Sequence, residues 1–163
     1  HQLNVEFLQH DTLTDVISFD NTLGKLISGD IFISVERVEE NANVFNTSFK
    51  EDVNSGIFLT TQSSTGKLAV GYGDGSSGFT SSNRRGYLSN NIIQSNSWHQ
   101  IHIVIISSNN MKVYLDCIET GGSYSGSGSG LNYSSNPGSL GRHDQNNSSV
   151  ASYYFKGVLD DFK

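Results

Sequence analysis

The stretch Trp98–Glu119, WHQIHIVIISSNNMKVYLDCIE, narrows the choice of fold more than any other part of the chain. Ile101, Ile103 and Ile105 alternate with Gln100, His102 and Val104. Beyond a polar turn at Ser107-Ser108-Asn109-Asn110, Met111, Val113, Leu115 and Cys117 alternate with Lys112, Tyr114 and Asp116. Period-two alternation on both sides of a Ser/Asn turn predicts an antiparallel hairpin with one buried face. Such a face needs a second layer to cover it, which makes the hairpin the centre of a β-sandwich. The same parity puts Cys117 inward as a small buried residue. Because it is the only cysteine, an intrachain disulfide and a thiolate zinc cluster are both excluded.

The rest of residues 54–163 follows the same pattern. Ile57–Thr61 and Lys67–Tyr72 read as short strands around the turn Ser63-Ser64-Thr65-Gly66, and Arg84–Leu88 reads as another. Gly71–Gly78 is a glycine-rich loop, and GGSYSGSGSG at Gly121–Gly130 has the composition of a flexible loop. Leu140-Gly141 and Phe155–Phe162 supply closing strands. Short strands at this spacing, without a helix between them, predict a mainly β fold.

Residues 1–53 differ. They carry 10 of the 16 acidic side chains against three basic ones, Lys25, Arg37 and Lys50, and only two of the 17 glycines. Leu3–Leu8, Asp15–Phe19 and Ile27–Ser34 are apolar runs, the last two joined by DNTLGK. Val35, Val38, Ala42, Phe45 and Phe49 recur at helical spacing behind a capping Ser34. They predict an amphipathic helix over 35–49 and a small α/β segment. The chain opens at His1 rather than Met, so it reads as a fragment.

The motifs Thr14-Asp15-Val16-Ile17-Ser18-Phe19 and Gly29-Asp30-Ile31-Phe32-Ile33-Ser34, with the acidic segment and Ser48-Phe49 behind them, resemble the bacterial YbeY family of rRNA-maturation endoribonucleases. The resemblance covers residues 1–53. It implies a zinc enzyme whose metal is held by a later H-x3-H-x5-H helix, but no such pattern occurs here. Leu8 also stands where many members carry an arginine. His99 and His102, three apart on a predicted strand, would point to opposite faces, and His1, His10 and His143 are isolated. No catalytic residue is therefore assigned, and zinc belongs only to the endoribonuclease alternative.

Residues 54–163 resemble the later part of a laminin G-like, concanavalin A-like jelly roll. The resemblance rests on Gly66-Lys67-Leu68, Trp98-His99-Gln100-Ile101-His102, Val113-Tyr114-Leu115-Asp116, Leu140-Gly141 and Phe155–Phe162. Cys117 stands where that family usually places glycine. The first strands of the sandwich would lie where the YbeY-like segment sits, so the chain looks chimeric. Either two unrelated pieces meet near residue 53, or they complete each other, with Asp15–Phe19 and Ile27–Ser34 added to the sandwich edge. If they do not, the unpaired edges invite self-association.

Asp74 in Gly73-Asp74-Gly75, together with Asp160 and Asp161, forms the candidate calcium set that the jelly-roll resemblance implies. The competing expectation is an ordinary Asp-Gly turn and a capped strand end. Trp98, Phe155 and about half of the tyrosines are expected to pack in the sandwich. The rest of Tyr72, Tyr87, Tyr124, Tyr133, Tyr153 and Tyr154 would offer aromatic faces to sugars or proteins. No Gly-x-Ser-x-Gly occurs in a strand-turn-helix setting, and no paired carboxylates sit on matching strands. A net charge of −6 argues against nonspecific nucleic-acid binding, and no apolar run is long enough to span a bilayer.

The expected function is a non-catalytic recognition or adhesion module that binds carbohydrate or protein through sandwich-rim loops. The alternative is a YbeY-like endoribonuclease fragment. The jelly-roll resemblance implies an extracellular or cell-surface location, and the YbeY-like one implies the cytoplasm.

Overall fold

The structure, a computed structural model, describes residues 42–47, 55–62, 65–76, 80–128, 130–133, 138–141 and 154–160, and residues 27–35 by their backbone. Eleven strands run through these segments: β1 (Ile27–Val35), β2 (Asn43–Asn46), β3 (Ile57–Thr61), β4 (Lys67–Gly73), β5 (Arg84–Ile92), β6 (Trp98–Ser107), β7 (Asn110–Leu115), β8 (Ile118–Glu119), β9 (Gly122–Ser125), β10 (Ser139–Leu140) and β11 (Gly157–Asp160). They form a five-stranded sheet in the order β11-β1-β6-β7-β8 and a six-stranded sheet in the order β10-β2-β3-β4-β5-β9, with every pairing antiparallel.

The central hairpin forms as its alternation dictates. Ile101, Ile103 and Ile105 of β6 face Leu115, Val113 and Met111 of β7 in register, and all six are buried. Leu59 of β3, Leu68 and Val70 of β4, and Tyr87 of β5 supply the opposing layer. Fully burying a side chain such as Leu59 or Ile101 contributes about 1.5–3 kcal/mol. Phe155 and Leu159, half-buried, close the core from the chain's far end.

The two β strands from the first third of the chain lie within these same sheets. Ile31 of β1 pairs with Ile101 of β6, while Ile33 pairs with Leu159 of β11. β1 is therefore second from the edge, flanked on both sides, so Ile27–Val35 completes the sandwich as one of the two alternatives had it, though not as the outermost strand. β2 is likewise internal, between β10 and β3. The terminal strands β8, β9, β10 and β11 have two to four residues each. Edges this short limit the row of unpaired backbone groups offered to another chain.

Four local expectations are corrected. The helix anticipated over 35–49 is replaced at Asn43–Asn46 by strand β2, with a bulge between Asn43 and Phe45; residues 36–41 and 48–50 lie outside the described residues. All four β2 residues are buried. A segment covered on both faces loses the alternation that marks a strand. The supposed loop at Gly121–Gly130 contains β9, whose Tyr124 pairs with Tyr87 of β5.

Cys117 is exposed rather than inward, because Asp116 (φ 53°) and Cys117 (φ 67°) form the two left-handed positions of the β7–β8 turn. That geometry matches strand twist and normally favours glycine. Trp98 is 54% exposed, since it shares the outward parity of Gln100 and His102. The anticipated strand Asp15–Phe19 lies outside the described residues.

The six-stranded sheet is tied to the hairpin at one end by Arg85. Its Nε donates to Ser108 O (2.6 Å), and its other nitrogens donate to Gly126 O and Asn109 Oδ1. The guanidinium also lies 4.6 Å from the centre of the Tyr124 ring, and Tyr124 Oη accepts the Met111 N–H at 2.8 Å. A planar donor fork over an aromatic face suits arginine rather than lysine. These contacts hold the hairpin turn against the facing sheet.

Candidate functional site

The outward positions of the hairpin build the site. Gln100, His102 and Val104 come from β6 and Tyr114 from β7. With Cys117 from the following turn they line an open depression of about 330 Å³ on the outer face of the five-stranded sheet. His102 and Tyr114 are cross-strand partners, and their rings meet edge to face with centroids 5.7 Å apart and planes at 60°. Such pairing fixes both rings and leaves part of each accessible. The Cys117 thiol donates to Gln100 Oε1 at 3.3 Å.

A buried lock beneath this face sets the turn that carries Cys117. His99 has the opposite parity to His102 and lies inside. Its ring spans Asp116 Oδ2 at 2.8 Å and Gln94 O at 2.9 Å. Asp116 Oδ1 accepts the Gln100 N–H, and the Asp116 N–H donates to Gln100 O. One carboxylate thus joins the β7–β8 turn, β6 and, through His99, the loop that leads into Trp98.

At the edge of the face Lys112 and Glu119 pair at 3.2 Å, and the Glu119 carboxylate holds the Lys112 ammonium above its ordinary value. An exposed pair of this kind adds little stability. Its effect is to cancel the two charges nearest Tyr114.

Asp74 lies apart from this depression, whereas Asp160 is on the same sheet, two strands from Gln100. Asp74 follows β4, and its Oδ1 accepts the Ser76 N–H at 2.9 Å, an Asx turn around Gly75 (φ 82°). It sits at the end of the sandwich where Arg85, paired with Tyr72, reaches the hairpin turn. Asp160 ends β11 in the other sheet, opposite Phe32, which pairs with Gln100 further along β6. The structure does not bring Asp74 and Asp160 together, and Asp161 lies outside the described residues. Among the described residues no three His, Cys, Asp or Glu side chains are grouped to hold a metal ion. No helix there is long and apolar enough to cross a membrane.

The tyrosines divide as their parities require. Tyr72 and Tyr87 are buried, and burial raises both phenols above the ordinary value. Tyr124 is engaged by Arg85. Burial of the hydroxyl of Tyr133 beside Thr47 also raises its phenol, although the ring is partly exposed. Tyr154 is exposed, and Tyr153 lies outside the described residues. Sequence reasoning placed candidate binding groups on the rim loops and did not single out Gln100, His102 and Tyr114 as neighbours on one face. The available signal was a shared outward parity linking Trp98 and His102 with Tyr114 across the hairpin.

Comparison with known proteins finds one likeness in the sequence of the first third and another in the fold, and the two overlap along the chain. Residues 1–60 match the family Endoribonuclease YbeY. The Endoribonuclease YbeY of Flavobacterium johnsoniae is 68% identical over 53 residues, covering 32% of this chain and 38% of that protein. That of Christiangramia forsetii is 64% identical over 53 residues, covering 32% of this chain and 37% of that protein. The chain thus spans less than two fifths of these relatives. Among solved structures, a native heptameric SAP-like pentraxin from Limulus polyphemus superposes with a TM-score of 0.54 at 16% identity, over 86% of this chain and 63% of that one. The chain therefore has a YbeY-similar N-terminal sequence and a jelly-roll β-sandwich fold.

Proposed function

We propose that the chain is a non-catalytic recognition module whose β-sandwich presents a binding face for carbohydrate or protein. The observation that carries this is the depression of outward polar and aromatic side chains on a scaffold fixed by core packing, Asp116 and His99. This reading puts the site on the sheet face rather than on the rim loops beside it. A rigid concave surface with a few convergent polar groups is the usual form of a ligand site.

Calcium assistance belongs to the same proposal, with Asp74, Asp160 and Asp161 as its candidate ligands. The test is a binding screen of carbohydrates and peptides, with and without calcium, on the chain and on a His102→Ala/Tyr114→Ala variant. Saturable binding that the variant loses supports the proposal; binding that the variant retains sinks this placement. A calcium-dependent gain removed by Asp74→Ala would locate the ion.

The heptameric state of the pentraxin neighbour favours adding self-association to the proposal, with β11 and its exposed Val158 as the contacting edge. Sedimentation at increasing concentration tests it.

A second reading is favoured by the match of residues 1–60: zinc-dependent endoribonuclease activity in rRNA maturation. It requires metal-dependent cleavage of precursor rRNA and stoichiometric zinc from a chain that has no H-x3-H-x5-H pattern.

A further inference from the structure

We propose that the outer face of the five-stranded sheet takes a neutral oligosaccharide lying along β6, with His102 and Tyr114 as one sugar platform and Trp98 as a second. This deepens the recognition reading and rests on it, because it names the ligand class of the same face.

The first argument is charge. Gln100, His102, Val104, Tyr114 and Cys117 line the depression without a carboxylate, ammonium or guanidinium among them. The Lys112–Glu119 pair at the edge neutralises itself, and the Asp116 carboxylate is engaged by His99 and the Gln100 N–H. Among these described lining residues an anionic ligand finds no fixed counter-charge and a cationic one no carboxylate.

The second argument is surface chemistry. A pyranose ring has an apolar C–H face bordered by hydroxyls. Val104 and the two ring edges offer apolar contact, while the Gln100 amide, beside Cys117, and the Tyr114 hydroxyl, beside Lys112, bring both donors and acceptors. A shallow, mixed lining suits this ligand better than an apolar anchor from a protein, which prefers a fully desolvated pocket.

The third argument is length. Singly exposed aromatic side chains need no explanation. Trp98, however, stands on the same strand face as the depression, four residues from His102. That spacing is roughly 13 Å along an extended strand. One sugar ring cannot reach both platforms, but a short chain of sugars can, with Gln100 beneath its middle.

The test uses the fact that Trp98 is the sole tryptophan, so its fluorescence reports the second platform without a label. The full chain and its variants are titrated by calorimetry, with emission followed in parallel where Trp98 is present, using gluco-, manno-, galacto- and N-acetylglucosamine oligomers of one to six units, oligouronates and a peptide panel. One neutral series is expected to bind at least about tenfold tighter at three or more units than at one. Its emission should shift only for the longer members. Trp98→Ala should remove the length gain and spare single-sugar affinity, and Tyr114→Ala should weaken both.

The inference is overturned if oligomers bind without changing Trp98 emission, if uronates bind best, or if Trp98→Ala keeps the length dependence. Peptide binding alone, or glycan binding that survives both variants, also overturns it while leaving a recognition module in place. If neither sugar nor peptide binds, the recognition reading falls with it.

Discussion

The β6–β7 hairpin and strand β2 are both strands buried in the same sandwich, yet only one of them announces itself. In β6, buried and half-exposed residues alternate from His99 to Ile105, because one face meets the core and the other faces outward. In β2, Asn43, Val44, Phe45 and Asn46 are all buried, with β10 and β3 on either side and a bulge in the register. Alternation is a property of a strand with one wet face. Where both faces are covered the period-two signal disappears, and a chance helical spacing can fill a short window.

The largest effect that sharpens this contrast is expected from Ile101→Ala, which removes a fully buried side chain from the hairpin. It should cost about 3 kcal/mol in denaturant unfolding. Gly56→Ala follows at about 2–3 kcal/mol. A Cβ there would lie 1.6 Å from Thr47 O, and φ is 68°. Thr47 and Ile57 exchange two hydrogen bonds at this point, which close β2 onto β3. A neutral outcome would break the β2–β3 pairing.

Val44→Ala should cost about 2 kcal/mol if the segment is a buried strand. In an exposed helix the same change would stabilise by a few tenths, so the sign decides between the two structures. Cys117→Gly should stabilise by about 1 kcal/mol, because a non-glycine residue no longer holds φ 67°. In a chain of this size that is a rise in Tm of roughly 2–4 °C.

The smallest effect is alkaline. Tyr72 and Tyr87 have phenols raised by burial, so the folded state keeps protons that the unfolded state releases above about pH 10. Their contribution is intact below pH 10 and is lost as pH climbs towards the raised folded values. Unfolding followed against pH should show the decline, and Tyr72→Phe should flatten it.

Much of the fold was legible. β3, β4, β6 and β7 follow from local alternation, and the run at Ile27–Ser34 became β1. The candidate site was legible only in part. The outward parity of Gln100, His102 and Tyr114 is written in the hairpin, but a depression requires neighbouring strands to be placed, and pairing partners are not encoded locally. Cys117 shows the limit at one residue: extending the inward count past Leu115 fails because the chain turns at Asp116. Asp74 shows another, since a carboxylate beside glycine serves a turn and a cation equally well, and its bond from the Ser76 N–H appears only in the structure.

The sequence alone determined the hairpin, the parity of its side chains, and the YbeY-similar character of the first third. These depend on residues near one another in the chain. Only the tertiary structure decided that Ile27–Val35 enters a sheet between β6 and β11 and that Asn43–Asn46 is a strand. Each of those outcomes is a choice of partner across a long stretch of chain. It is made by the burial available when both sheets close, and no local pattern carries it.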